Sequence, residues 1–144
     1  FKLKIVGDGS QSKFLHDLVN NHANGNNIEF LGWCGHEKLR DMYVNARGLL
    51  FPGIEDFGIV PVEAMACGCP VIAMLAGGAI DWFSKLAGES FDDISVVGLL
   101  DAINRFESRI NSIQAVNCRE NAIRFSESRF DEQILSLVYQ TLEV

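Results

Sequence analysis

A strand pattern, a helix pattern and a second strand pattern follow one another between Gly48 and Ala73. Gly48-Leu-Leu-Phe51 is short and wholly apolar, which is typical of strands buried in parallel sheets. Pro61 suits the first turn of a helix, where its missing N–H costs nothing, and we expect that helix to end near Gly68. Pro70-Val-Ile-Ala73 is the next strand pattern. A unit of this kind predicts two parallel neighbours joined by a crossover helix.

The rest of the chain continues the alternation and then changes character. Leu3 to Val6 and Ile28 to Leu31 are predicted strands, each followed by a helical pattern. The C-terminal third predicts only helices, over 96–110, 113–125 and 130–142. Because 144 residues suit one domain, we predict a single domain over 1–144. Its fold class is α/β, a doubly wound, Rossmann-like parallel sheet with extra C-terminal helices.

Composition excludes several classes of function. The net charge of −7 argues against partners such as nucleic acid or an anionic membrane surface, which need clustered Lys and Arg. No apolar run reaches the length of a membrane span. The cysteines and the three histidines lack metal-ligand spacing, so we expect no metal site and small thiols in a reducing cytoplasm. The four cysteines are Cys34, Cys67, Cys69 and Cys118.

Gly7-Asp-Gly9 after the first strand raises the possibility of a dinucleotide site, with Glu29 about 20 residues downstream as its ribose ligand. Ser12 stands where the third glycine belongs, and Glu29 lies within its strand rather than at its end. A tight strand–helix turn, with Asp8 or Ser10 capping the helix, is the alternative that we favour.

The loop after Phe51 carries the strongest functional signal. Residues 53–58 follow a buried parallel strand, at the edge where open α/β sheets bind ligands. Phe57-Gly58 allows the backbone to approach a ligand, and the free amides of residues 58–60 at the helix start attract anions. Glu55 and Glu63 can accept hydrogen bonds from vicinal hydroxyls. Amides and carboxylates together suit a ligand that is both phosphate and polyol, namely a nucleotide-sugar.

Gly77-Gly78 follows the next strand and predicts a second loop at the same sheet edge. The chain from Ala79 to Lys85 then leads, in our prediction, directly into the C-terminal helices without another strand.

The stretch Glu55-Asp-Phe-Gly-Ile-Val-Pro-Val-Glu63 resembles the E-x7-E signature of the retaining family-4, or group 1, glycosyltransferases with the GT-B fold. The resemblance to their C-terminal, donor-binding domain covers most of the chain. It extends from Leu3-Lys-Ile-Val-Gly-Asp-Gly9 to Cys118-Arg-Glu-Asn-Ala-Ile-Arg-Phe-Ser126. The wording of the signature is similar to the WbaZ-like mannosyltransferases of O-antigen and capsule synthesis.

The resemblance implies a role for each site residue. Glu55 contacts the donor sugar and acts catalytically through its charge, and Glu63 holds the ribose hydroxyls. The amides of Gly58, Ile59 and Val60 contact the diphosphate, and Phe57 also belongs to the donor-binding residues. Gly32-Trp33 contact the nucleobase. The implied donor is GDP-mannose, with no metal and no further cofactor.

The resemblance also implies partners that lie outside this chain. An N-terminal GT-B domain would hold a glycan or lipid-linked acceptor, and the cations that grip the diphosphate would lie upstream of Leu3. We therefore expect a fragment that is inactive alone. It would belong to a cytoplasmic enzyme of cell-surface polysaccharide synthesis, peripheral at the inner face of the membrane through the absent domain. Two alternatives remain: half of a GT-B sugar-nucleotide epimerase, and a non-catalytic interaction domain on the same scaffold.

Overall fold

The computed structural model describes residues 1–142 and divides into two compact units, one over 1–39 and the other from Arg40 onward. The first unit contains β1 (Leu3–Val6), α1 (Ser12–Asn20), a 3-10 turn (Gly25–Asn27) and β2 (Ile28–Gly32). The strands β1 and β2 pair in parallel, with Leu3 opposite Ile28. The helix α2 (His36–Asn45) leads into the second unit.

The turn between β1 and α1 differs from its prediction. Neither Asp8 nor Ser10 caps α1, which begins after Gln11 without a side-chain cap. The Asp8 carboxylate instead accepts hydrogen bonds from the Gly9 N–H and the Ser12 hydroxyl. These bonds lower the pKa of Asp8, led by the bond from Ser12. Asp8 therefore stabilises the tight turn through these two hydrogen bonds rather than capping the helix.

The second unit is built on three parallel strands in the order β3-β4-β5. They are β3 (Leu49–Phe51), β4 (Val71–Met74) and β5 (Gly88–Phe91). Val71 lies between Leu49 and Gly88, and all four residues of β4 are buried. The α/β class is confirmed, and the strands pair within two sheets, one in each unit.

The predicted run from Gly77-Gly78 into helices without another strand is wrong. The helix α4 (Ala79–Trp82) is a single turn, and β5 follows it and pairs with β4 along its whole length. The predicted C-terminal helices are present as α5 (Val96–Arg109), α6 (Ala115–Ile123) and α7 (Glu127–Leu142), with a 3-10 turn (Ile110–Ser112) after α5.

The helix α3 (Ile59–Ala66) connects β3 to β4 and has defined ends. Pro61 is its third residue, so it lies in the first turn as the sequence predicts, and the structure shows that it is buried. At its C-terminus Gly68 has φ +85°, and its N–H donates to the Met65 carbonyl at 2.8 Å. The Cys69 N–H donates to the Ala64 carbonyl at 2.9 Å, which completes a Schellman motif. The chain therefore turns directly from α3 into β4.

The core of the second unit lies between β4 and the helices around it. Its largest fully buried side chains include Trp82, Phe106, Met65 and Cys118. Cys69 and Cys118 are buried, whereas Cys34 and Cys67 are half-buried, and all four thiols are free. Burial raises the pKa of Cys69 to about 12, so this thiol stays protonated at neutral pH.

Candidate functional site

Two loops meet at the C-terminal edge of β3 and β4. One follows Phe51 and the other follows Met74, and the Gly78 N–H donates to the Glu55 carbonyl at 2.8 Å. This confirms the prediction that Gly77-Gly78 and the loop over residues 53–58 share one sheet edge. A ligand held by the first loop therefore also lies close to the second.

Both glycines of the second loop are required by the close approach of the first. A Cβ on Gly77, which has φ +58°, would overlap the Glu55 carbonyl oxygen. A Cβ on Gly78 would overlap the Asp56 carbonyl oxygen and the Phe57 Cα. The position of the loop that carries Glu55 thus depends on two residues without side chains.

The start of α3 has the features of an anion site. Gly58 precedes the helix with φ +85° and ψ +77°, and no side chain caps the first turn. The first N–H groups of a helix have no acceptor inside it, and the helix dipole adds positive charge there. Ile59 is 64% exposed and Val60 is 41% exposed, whereas Gly58 is buried. The exposed part of the helix start therefore lies at residues 59 and 60.

The two predicted carboxylates flank this helix start. Glu55 lies in the loop before it, Glu63 lies on α3 itself, and both are exposed. Within residues 1–142, neither carboxylate accepts a hydrogen bond or forms an ion pair. Burial and the charge of Glu63 raise the pKa of Tyr43 to about 12, so its phenol is neutral at neutral pH. Both carboxylates thus remain available to a ligand.

A largely apolar groove of ≈ 940 Å³ runs beside α3. Phe57, Ile59 and Glu63 line its α3 side. Residues of α6 and α7, among them Ile123 and Phe130, line the other side. One of the two predicted carboxylates therefore stands at the edge of a concave surface.

Two aromatic residues to which the sequence assigned no role hold Phe57 in place. The Phe125 ring meets the Phe57 ring edge-on, with centroids 5.4 Å apart. The Trp82 indole N–H donates to the Phe57 carbonyl at 2.5 Å. The only local signals were an aromatic residue soon after Gly77-Gly78 and another within the stretch Cys118–Ser126. Neither signal indicates a contact with the loop.

Gly32 and Trp33, the predicted nucleobase contacts, belong to the first unit. Gly32 ends β2 with φ +60°, and Trp33 is 83% exposed. The other six predicted residues, Glu55, Phe57, Gly58, Ile59, Val60 and Glu63, lie together in the second unit, in the loop and helix after β3. No helix within residues 1–142 has the length and apolarity needed to cross a membrane.

Known proteins with similar sequences are glycosyltransferases. An uncharacterized glycosyltransferase of Methanocaldococcus jannaschii is 36% identical over 81 residues, which are 56% of this chain and 21% of that protein. A GDP-mannose-dependent alpha-mannosyltransferase of Corynebacterium glutamicum is 34% identical over 85 residues, 58% of this chain and 19% of that protein. The chain therefore spans about a fifth of the length of these curated relatives.

A similar solved structure agrees with the sequence relatives. Anabaena HepE, solved in complex with UDP, superimposes with a TM-score of 0.81 at 25% identity, over 96% of this chain and 41% of HepE. The family described as glycosyl transferases group 1 matches residues 1–125. That match includes the loop after β3, all of α3 and the residues from Cys118 to Phe125. The chain belongs to the group 1 glycosyltransferases and has the fold of their GT-B C-terminal domain.

Proposed function

We propose that this chain is the donor-binding part of a retaining glycosyltransferase and binds a nucleoside-diphosphate sugar at the loop after β3 and the start of α3. The observation that carries the proposal is the uncapped start of α3, flanked by two carboxylates without partners among residues 1–142. The helix start would bind the diphosphate, Glu63 the ribose diol and Glu55 the sugar. Gly32 and Trp33 are proposed for the nucleobase.

In the proposed reaction the bond between the anomeric carbon and the diphosphate oxygen breaks. The anomeric carbon then bonds to the oxygen of an acceptor hydroxyl, and the diphosphate leaves with the electron pair of the broken bond and takes up the proton of that hydroxyl. The helix start would stabilise that leaving charge, and Glu55 would stabilise the positive charge that develops on the sugar. The contribution of these residues is electrostatic, and neither glutamate needs to transfer a proton.

For the donor we propose GDP-mannose, since the stretch from Glu55 to Glu63 resembles mannosyltransferases and one relative is named a GDP-mannose-dependent enzyme. HepE was solved with UDP, so UDP is the base to test against GDP. For the acceptor we propose a glycan or lipid-linked glycan of the cell surface. We propose that the rest of a longer protein holds it at the cytoplasmic face of the membrane, and that this chain alone does not catalyse transfer.

The test is calorimetric titration of the chain with GDP and with UDP. We expect weak binding of a nucleoside diphosphate, tighter for GDP. Replacing Glu63→Gln should weaken the affinity by about tenfold or more, because hydrogen bonds to a charged group contribute about 1.5–3 kcal/mol. The ionic strength should be near 0.15 M, which screens the repulsion between the diphosphate and a chain of net charge −7.

The matched control is Glu132→Gln, the same chemical change on the exposed surface of α7. It should leave the affinity unchanged. Failure of the wild-type chain to bind either nucleotide would refute the proposed function and favour a non-catalytic scaffold. Equal effects of the two substitutions would refute the role of Glu63 while leaving nucleotide binding intact.

A further inference from the structure

The Phe57–Gly58 peptide, which precedes α3, is held by a hydrogen bond from the buried indole of Trp82. Trp82 is 0% exposed, and its Nε1–H donates to the Phe57 carbonyl at 2.5 Å. Its ring also meets the Phe51 ring edge-on, with centroids 6.1 Å apart. A Cβ on Gly58 would lie 3.5 Å from the indole nitrogen and 3.4 Å from the Phe51 ring. The indole thus packs against the Phe57–Gly58 peptide.

The hydrogen bond from Trp82 fixes the orientation of the whole Phe57–Gly58 peptide plane and not only of the Phe57 carbonyl. A peptide unit is planar and trans, so its C=O and N–H point in opposite directions. With the Phe57 carbonyl bonded to Trp82, the Gly58 N–H must point away from the indole. Rotation of this plane would break the bond and would move the point at which α3 begins. The orientation of the first amides of α3 therefore depends on Trp82.

Trp82 is itself held by a buried side chain of α6. The Asn121 Nδ2–H donates to the Trp82 carbonyl at 2.6 Å, and Asn121 is 7% exposed. Arg124 donates to Asn121 Oδ1 at 2.9 Å and to the Asp81 carbonyl at 3.4 Å. The contacts form one continuous chain from Arg124 through Asn121 and Trp82 to Phe57. Trp82 and Asn121 are buried, so a broken bond between them would leave a polar group without water, and this part of the network is rigid for that reason.

We propose that Trp82 is a positioning residue for the nucleotide-sugar site, with Asn121 acting through it. This inference rests on the proposed function, since it assigns to Trp82 the orientation of the amides that would meet the diphosphate. Trp82 touches no ligand in this scheme. Its effect reaches the ligand only through the Phe57–Gly58 peptide and the start of α3.

The experiment replaces Trp82→Phe in the 144-residue chain, which keeps an aromatic ring and removes the indole N–H. We expect the affinity for GDP to fall by about two- to tenfold, the range that corresponds to one hydrogen bond. We also expect shifted ¹H–¹⁵N amide signals of Gly58 and Ile59 in the ligand-free chain. Asn121→Asp keeps the oxygen that faces Arg124 and removes the donor to Trp82, so it should change both measurements in the same direction.

The wild-type spectrum carries an internal reference. The chain has two tryptophans, and Trp33 is 83% exposed whereas Trp82 is buried. The indole N–H of Trp82 should exchange slowly with solvent and that of Trp33 rapidly. Equal, rapid exchange of both signals would overturn the proposal, because it would mean that Trp82 does not hold the Phe57 carbonyl.

A control separates positioning from general loss of stability. Phe106 is 2% exposed on α5, and its ring would lie 2.9 Å from a Cβ on Gly48, which precedes β3 at the end away from the loop. Phe106→Leu should lower the unfolding midpoint and leave the GDP affinity and the Gly58 signal unchanged. If Trp82→Phe does no more than this control, the proposal is overturned. If the wild-type chain binds neither GDP nor UDP, the proposed function fails, and the amide signals still report whether Trp82 orients the peptide.

Discussion

At the scale of single residues, Gly78 gives the sharpest test of how the two loops fit. Its φ of −65° is one that any residue can adopt, so a substitution there acts through space rather than through backbone strain. A Cβ would overlap Asp56 and Phe57. We expect Gly78→Ala to lower the free energy of unfolding by about 1–3 kcal/mol, as overpacking does, and to displace the Glu55 loop. Chemical denaturation measures the loss of unfolding free energy. GDP titration reports the displacement of the Glu55 loop as a weaker affinity.

Gly53→Ala is the matched control for Gly78→Ala. Gly53 lies in the partner loop, its φ lies outside the positive range, and no atom would lie within 4 Å of a Cβ there. Removing a glycine from such a position restricts the unfolded chain, so the free energy of unfolding should stay equal or rise by up to about 1 kcal/mol. A similar loss in both variants would mean that the loops do not pack as described.

The sequence predicts the site residues that follow directly from local pattern. Glu55, Gly58 and Glu63 could be placed because an apolar strand and a helix start bracket them, and parallel strands end at one edge. The burial of Gly58 and the roles of Trp82 and Asn121 could not be predicted. Trp82 bonds a carbonyl 25 residues away, and Asn121 bonds one 39 residues away. Contacts at such separation leave no trace in local spacing.

At the scale of elements, β5 is attached to α5 by a buried carboxylate. Glu89 is 8% exposed and forms ion pairs with Arg105 at 3.5 Å and Arg109 at 3.1 Å. We expect Glu89→Gln to lower the free energy of unfolding by about 1–3 kcal/mol, because two guanidinium groups lose their counter-charge. The partly exposed arginines keep the loss below that of a fully buried pair. Urea denaturation at neutral pH measures it.

The control for this element is Glu132→Gln on α7. Glu132 pairs with Arg129 at 2.9 Å, and both side chains are more than half exposed. An exposed pair of this spacing contributes at most about 0.5 kcal/mol. Equal losses of unfolding free energy for Glu89→Gln and Glu132→Gln would show that the ion pairs of Glu89 do not hold α5 against β5.

The same carboxylate explains why β5 was missed. Gly-Glu-Ser-Phe is only four residues long and contains residues with low strand propensity. A glutamate within a buried strand contradicts the usual apolar pattern of parallel sheets. It is tolerated here because two arginines from α5 reach it, and that pairing exists only in the folded chain. In contrast, the helix predicted over 96–110 is present as α5, and the structure shows that Ser95 caps its start by accepting from the Gly98 N–H at 3.1 Å.

At the scale of the whole molecule, the two units differ in how much they bury. None of residues 1–39, all of which the structure describes, is buried. In the second unit β4 is buried throughout, and Trp82 and Phe106 are almost inaccessible. The alternation of strands and helices predicted the α/β class for both units alike. The alternation could not reveal the difference in burial between the two units, because burial depends on which elements pack against each face of a strand or helix.

Burial of apolar surface sets local stability, so the amides of the first unit should open more often than those of the second. We expect hydrogen exchange by mass spectrometry to show faster deuterium uptake in peptides covering β1 and β2 than in peptides covering β4 and β5. The difference should be at least about tenfold in rate, which corresponds to about 1.4 kcal/mol of opening free energy. All four strands are hydrogen-bonded in parallel pairs, so pairing alone predicts no such gap. Equal protection of the four strands would show that both units open in one cooperative step.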